Sequence, residues 1–463
     1  WATGTAASYI GGTSTVIVEG GTIAGNVAGG GVTYAYSGDG ENSKLVSEHE
    51  ATEVRLTGGT IQGSVIGGGV ALDNYGKATL SNTVSETSVV IDGATVEGDI
   101  IAGGYAEGQN AETEVMGDVS LSIVSGTIKG DVYGGSIGGS IGGNSTISIS
   151  GGDIQGGVYA ADVTTEGFLG SSILNFDNEG ALDTAITEIN GFDEVNFNGG
   201  TVNFTSDTVS FANTVINMTV NGESSTLTAE TIDNSATIYV TGTGAYAPNV
   251  NLSGEGKIVF GKKDATFDGT YAGTIDGQAS DLATVQVLNG SLTLESGATI
   301  DLIGNFDKNR GFILGTVDAA EDDGTMTAVV TVKEGATLNA RNYFWIGSAN
   351  GSYETPEEQS KRFKLIIDGG KVDATSNAFT LRNTGAMEIL NGGSFSAHDG
   401  SVRNYISVTG EGAYLEYGGN VYGEAPSGAE GAPTYGTASI TVSDGATANF
   451  TKLSIGGEGA SRE

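Results

Sequence analysis

Between residues 14 and 161 one short phrase recurs five times, centred on Ile23, Ile61, Val96, Ile128 and Ile154. Apolar pairs stand seven and five residues before each centre: Val16/Val18, Val54/Leu56, Val89/Ile91, Leu121/Ile123 and Ile147/Ile149. Small residues and then Thr or Asp come immediately before it, as in Gly20-Gly21-Thr22 or Gly151-Gly152-Asp153. Glycine always follows two residues later (Gly25, Gly63, Gly98, Gly130, Gly156), and Val or Ile four residues later. Positions six and seven after the centre hold only Gly or Ala. A unit this small cannot bury its own apolar face, so it must stack on its neighbours.

The apolar offsets fall on a period of two, which describes half-buried strands separated by sharp corners. Glycine before the centre permits the positive φ that such corners need. Stacking the phrase on itself predicts an all-β, right-handed parallel β-helix, elongated, with Thr22, Thr60, Thr95 and Thr127 in one column. Glycine two residues after each centre is expected to face inward and let opposite walls approach. The centres are spaced by 38, 35, 32 and 26 residues. That variation is assigned to inserts between coils, at about 33–52, 71–87, 105–119 and 136–145, and inserted loops are where repeat proteins carry function.

After residue 165 the phrase lapses, and 166–190 reads as an irregular transition. It resumes with looser spelling over 191–463: Gly297-Ala298-Thr299 after Leu292/Leu294, Gly335-Ala336-Thr337 after Val330/Val332, and Gly445-Ala446-Thr447 after Ile440/Val442. Three regions follow: a glycine-rich solenoid over 1–165, the transition, and a continuing solenoid over 191–463.

Composition narrows the function classes. With 78 glycines but 4 prolines, and 38% hydrophobic residues, the chain is neither collagen-like nor disordered. Its 56 acidic against 19 basic residues give a net charge of −37. Such a field repels nucleic acid and anionic bilayers. There is no cysteine, hence no disulfide framework and no thiolate chemistry. No apolar run is long enough for a membrane-spanning helix.

The phrases Ile440-Thr-Val-Ser-Asp-Gly-Ala-Thr447 with Leu453-Ser-Ile-Gly456, and Val330-Thr-Val-Lys-Glu-Gly-Ala-Thr337 with Phe344-Trp-Ile-Gly347, carry a resemblance. They are similar to the β-strand repeats of autotransporter (type V secretion) passenger domains of Gram-negative bacteria, over most of 190–463. The resemblance implies a right-handed β-helix, export to the bacterial outer surface, and adhesion to a host or neighbouring-cell protein or glycan. The C-terminal translocator barrel of that family has no counterpart in this sequence. A self-associating extracellular fibre subunit is the alternative reading, and a polysaccharide-active β-helix enzyme a lesser one.

Catalytic material is sparse. His49 and His398 are expected as solvated loop residues rather than members of a triad. Lys262, Lys263, Arg341 and Arg403 are the thin candidates for a lyase base. No catalytic residue, cofactor or metal site is assigned. Asp39-Gly-Glu41-Asn42 and the acidic run 318–323 could offer oxygens to Ca²⁺, but match no calcium-loop spacing, and solvated acidic turns are the preferred reading. Tyrosines cluster around the inserts. Tyr133 and Tyr159, inside the phrase, are expected to stack as a ladder. Tyr34, Tyr36 and Tyr75, in the long inserts, are the candidate ligand contacts, since exposed aromatic rings stack on sugars or pack against a partner.

Overall fold

A computed structural model describes residues 5–35, 43–76, 78–161, 170–211, 215–221, 226–277, 282–302, 310–318, 320–322, 324–341, 343–348, 362–375, 379–382, 384–423 and 438–455. Among them every regular element is a strand, and the strands pair in parallel from coil to coil. The chain is an all-β parallel β-solenoid. It divides into two compact units, 1–219 and 220–463.

In the first unit the phrase stacks on itself residue for residue. The centres form one column, Ile23–Ile61–Val96–Ile128–Ile154. The apolar pairs form two more, which continue past the last phrase as Ile147–Leu174–Val195 and Ile149–Phe176–Phe197. Residues four after each centre form a fourth: Val27–Val65–Ile100–Val132–Val158. From the second coil onward these side chains are buried. The expected threonine column is present, Thr22–Thr60–Thr95–Thr127, and Asp153 continues it.

Three expectations are corrected. Much of the described part of the supposed inserts is strand rather than loop: Lys44–Leu56 and Thr79–Val96 run through the first two and pair with each other from Lys44/Thr79 to Leu56/Ile91. Val32–Tyr34, Val70–Leu72 and Tyr105–Glu107 build a small second sheet beside them. The charged residues that suggested loops alternate with inward ones; Glu112 and Glu114 flank the buried Thr113. The glycines two after each centre do not narrow the core. They sit on one another at a corner, where a Cβ at Gly98 would lie 2.8 Å from the Gly63 backbone. Likewise the segment read as an irregular transition supplies strands Ser172–Phe176, Ala181–Thr184 and Glu188–Asn190, each paired in register.

Polar side chains tie the walls together. Inside the coil Thr52 Oγ1 donates to the Gly67 carbonyl, and Thr87 Oγ1 to that of Ala102, both at 2.7 Å. Ser145 Oγ reaches the Gly134 carbonyl at 2.8 Å. That proximity leaves little room for a side chain at position six, where a Cβ at Gly29 would lie 3.1 Å from Thr52 Cβ and one at Gly134 2.7 Å from Ser145 Oγ. At the outer corner a second ladder runs between coils. The Ser64 N–H donates to Asn26 Oδ1, Asp99 N–H to Ser64 Oγ, Asp131 N–H to Asp99 Oδ1, and Gly157 N–H to Asp131 Oδ1, at 2.7–3.1 Å. Each corner amide is thereby satisfied by the coil before it.

The second unit uses larger side chains. One wall stacks Leu292–Val330–Leu365–Met387–Ile406–Ile440. A facing wall stacks Phe312–Phe344–Phe379, with adjacent ring centroids 5.0 and 5.7 Å apart. Phe395 and Tyr417 pack against Phe379 from the third side. The buried Arg362 pairs with the buried Asp322 and donates from Nε to the Met326 carbonyl.

Candidate ligand-contact site

The first two coils of unit 1 place strands Thr5–Val18, Val32–Tyr34 and Lys44–Leu56 around an open cavity of about 350 Å³. Ser8 and Ile10 line it from the first strand, Thr33 and Tyr34 from the second, Ser47 and His49 from the third. Period-two alternation produces this lining. Ser47 and His49 point inward while Glu48 and Glu50 point to solvent.

His49 is therefore not the solvated loop residue the sequence suggested. It is 4% exposed, in a strand, and its Nε2 accepts the Gly31 N–H at 2.9 Å. Accepting through Nε2 leaves the ring proton on Nδ1, which faces Ser14 Oγ at 3.4 Å. Ser47 Oγ lies 3.2 Å from Nε2. Burial holds the imidazole pKa below its ordinary value, favouring the neutral ring. Gly31 has no side chain because a Cβ there would lie 3.0 Å from Nε2. His398 is exposed as expected, with Nδ1 3.1 Å from the Asp399 carboxylate.

Of the three candidate tyrosines, Tyr34 lines the cavity and Tyr75 lies on the adjoining turn. Asn74 joins them, donating from Nδ2 to the Tyr34 hydroxyl at 3.1 Å. The turn is fixed from below by Asp73, 4% exposed, whose Oδ1 accepts the N–H groups of Tyr75 and Gly76. Its other oxygen accepts from Asn110. Tyr75 is thus 46% exposed on a rigid support. Tyr36 lies outside the described residues, as does 39–42. Tyr133 and Tyr159 stack, with centroids 5.2 Å apart. The Tyr159 hydroxyl donates to Glu188, and burial together with that carboxylate raises its pKa.

The remaining candidates are distributed over the second unit. Lys262 closes a tight turn with Ala265. Arg341 pairs with Asp373 at 2.8 Å, and the Arg403 N–H bonds the Leu381 carbonyl on another wall. Asp322, within the acidic run, pairs with Arg362. Among the described residues no group of three or more His, Asp or Glu is placed to hold a metal ion. Sequence reasoning missed the cluster of Ile313, Tyr343 and Trp345, with the Arg382 guanidinium 4.5 Å above the indole. Burial pushes the Tyr343 hydroxyl up to about 12. The signal was available as Tyr343-Phe344-Trp345, where large residues on both faces mark a wall covered on both sides.

Compared with known proteins, the chain matches no family model, no curated protein and no solved structure.

Proposed function

We propose that this chain is a non-enzymatic surface solenoid of the autotransporter-passenger type, displayed outside a bacterial cell and contacting a glycan or protein through the Tyr34–Tyr75 corner. The observation that carries the reading is the Asp73-anchored turn, which holds an exposed tyrosine beside a small cavity on a scaffold otherwise occupied with its own packing. A ring held rigidly at a surface loses little entropy when a sugar or apolar side chain stacks on it. The interior hydroxyls and the buried imidazole are engaged by backbone groups, which supports a scaffold reading over a catalytic one. Outer-surface localisation and the absence of a cofactor belong to the same reading, which rests on the phrase resemblance and the strongly acidic surface.

A glycan array and a cell-adhesion assay with the whole chain test this. Binding by the parent should fall about two- to tenfold on Tyr75→Ala, a loss of the size one stacked ring supplies, with the thermal melt unchanged. Binding unaffected by Tyr34→Ala and Tyr75→Ala together would remove the site, and carbohydrate turnover by the purified chain would overturn the non-enzymatic reading.

A further inference from the structure

Unit 2 is walled on three sides, and the outward faces of the three walls differ. On the wall built on Leu292, Val330 and Leu365, Val329 and Ile366 face outward among charged residues that pair between coils, Lys333 with Asp368 and Lys364 with Glu388. On the phenylalanine wall the outward residues are themselves covered: Val259, Gln286, Ile313 and Trp345 succeed one another, each 7% exposed or less.

The third wall has neither feature. Its strands Thr274–Asp276, Thr299–Leu302, Thr337–Ala340, Lys371–Ala374 and Ser394–Ala397 stack in register. Period-two alternation sends Ile275, Ile300, Leu338, Val372 and Phe395 into the core, and every residue turned the other way is polar. One outward column runs Thr274–Thr299–Thr337 and continues through Lys371 to Ser394. Two residues along each strand a second column runs Asp276–Asp301–Asn339–Asp373 and continues to Ser396. The threonine and serine hydroxyls of both columns, and the Asn339 amide, take no hydrogen-bond partner among the described residues. The wall is thus a grid of hydrogen-bonding groups, about 4.8 Å apart along the stack and about 7 Å apart across it, over about 19 Å.

The chemistry of the grid narrows its partner. Hydroxyls donate and accept, whereas carboxylates only accept. A sugar hydroxyl does both, so it can pair with either column. An extended chain of hexose units also advances by a step close to the coil repeat, so successive units can meet successive coils in the same way. With three carboxylates against one lysine, the two columns repel a polyanion. Short side chains on regular strands lose little freedom when a ligand settles on them. We infer that the third wall of unit 2 is a second contact surface, taking a neutral linear polysaccharide laid along the stacking direction. The inference goes beyond the Tyr34–Tyr75 reading and uses no residue of that corner. Because the contact spans several coils, it is read on polymers rather than on the short glycans of an array.

Affinity electrophoresis of the whole chain tests this, in gels containing hydroxyethyl cellulose, mannan or dextran, with alginate and glycol chitosan as the charged comparisons. At least one neutral polymer should retard the chain, equally in a gel of raised salt, and alginate should not. Thr299→Val combined with Thr337→Val removes two hydroxyls and keeps the β-branched shape, and should weaken binding at least about fivefold. Thr337→Lys, beside Lys371 in its column, and Val329→Lys, beside Lys364 on the first wall, add the same charge to different faces. The former should lose binding and the latter keep it, with circular dichroism and the thermal melt showing both folded. No retardation by any neutral polymer overturns the inference, and so does retardation by glycol chitosan alone, which marks simple charge attraction. Parent-like binding by the folded valine pair, or equal loss in the two lysine variants, overturns it as well. Loss on Tyr34→Ala with Tyr75→Ala but not on the wall variants would assign polymer binding to the tyrosine corner, overturning this inference and leaving the earlier reading intact.

Discussion

The corner glycines give the sharpest test of the stacked geometry, because one position of the repeat has two different surroundings. Gly25 and Gly130 occupy the same place in the phrase, and neither has positive φ. A Cβ at Gly25 meets nothing within 4 Å. At Gly130 it would lie 2.5 Å from Asp99 Oδ1, 2.5 Å from the Gly98 oxygen and 2.6 Å from the Gly98 carbon. Restoring ordinary contact requires this corner to lift by about 0.9 Å, enough to stretch the adjacent 2.9 Å bonds from Lys129 N–H to Val96 and from Asp131 N–H to Asp99 beyond hydrogen-bonding range. Overpacking of about 1–3 kcal/mol plus two weakened bonds of about 0.5–1.5 kcal/mol each predicts that Gly130→Ala costs about 2–6 kcal/mol. Gly25→Ala should instead be neutral or stabilise by up to about 1 kcal/mol, through the restricted unfolded chain. Urea unfolding followed by circular dichroism measures the pair, under conditions where the chain is monomeric. Hydrogen exchange over 119–161 then locates the loss, since a repeat array need not unfold in one step. Equal effects of the two substitutions, within about 0.5 kcal/mol, would refute the stacking of corner on corner.

Thr87→Val keeps the shape but leaves the Ala102 carbonyl without its hydroxyl, and should cost about 1–3 kcal/mol in chemical denaturation; Val119, in register with Thr87 one coil on, shows that valine itself fits the column. Burial lowers the His49 pKa, so the folded state binds its proton less readily than the unfolded chain. Its stabilising contribution is complete above the unfolded value near 6.5 and is lost as pH falls through the lowered folded value; melting temperature should therefore drop more steeply on acidification in the parent than in His49→Gln. Thr83 lies between Glu48 and Glu114 in one outward column, so Thr83→Glu should destabilise relative to Thr83→Gln by about 1 kcal/mol at low salt, and the difference should vanish near 1 M NaCl.

The sequence made the stacking register legible because every inward position of the phrase is restricted to a size or shape. It concealed the strands between phrases for a different reason. Lys44, Glu48 and Glu50 carry charge, and charge suggested loops, but they alternate with Leu45, Ser47 and His49 on a period of two. Here a wall with one face in solvent looked like a polar insert. The hydroxyl clamp was recoverable too: Ser14, Thr52, Thr87 and Ser145 all stand nine residues before a centre, with Val119 the one departure. In the second unit the coil built on Ile406 and Val408 escaped notice because its corner, Gly410-Glu411-Gly412-Ala413, lacks the Gly-Ala-Thr spelling. For the candidate site, Tyr34 and Tyr75 were legible as aromatics outside the strict phrase. Their link through Asn74 and Asp73 depends on how two coils superpose, which residue spacing alone does not encode.

The acidic surface acquires a physical constraint once the columns are known. In-register residues of neighbouring coils lie about 4.8 Å apart, so a like-charged column would be costly at every step. The outward columns avoid this by interleaving. Glu48, Thr83, Glu114 and Ser140 succeed one another, so carboxylates recur on every second coil, about 10 Å apart and near one screening length. Elsewhere the neighbour is an amide or hydroxyl that bonds the acid, as Asn203 does Asp183, Asn198 Asp177 and Ser125 Asp92. Less often it is a cation, as with Lys129 beside Glu97. Asp99 and Asp131 are stacked directly, but each accepts a backbone N–H from the next coil, which holds its charge in place. Asp276 is also stacked directly on Asp301, and Asn251 and Asn339 flank the pair on either side. A net charge of −37 is therefore compatible with tight coil-on-coil packing because the negative charge is spaced along the stacking direction.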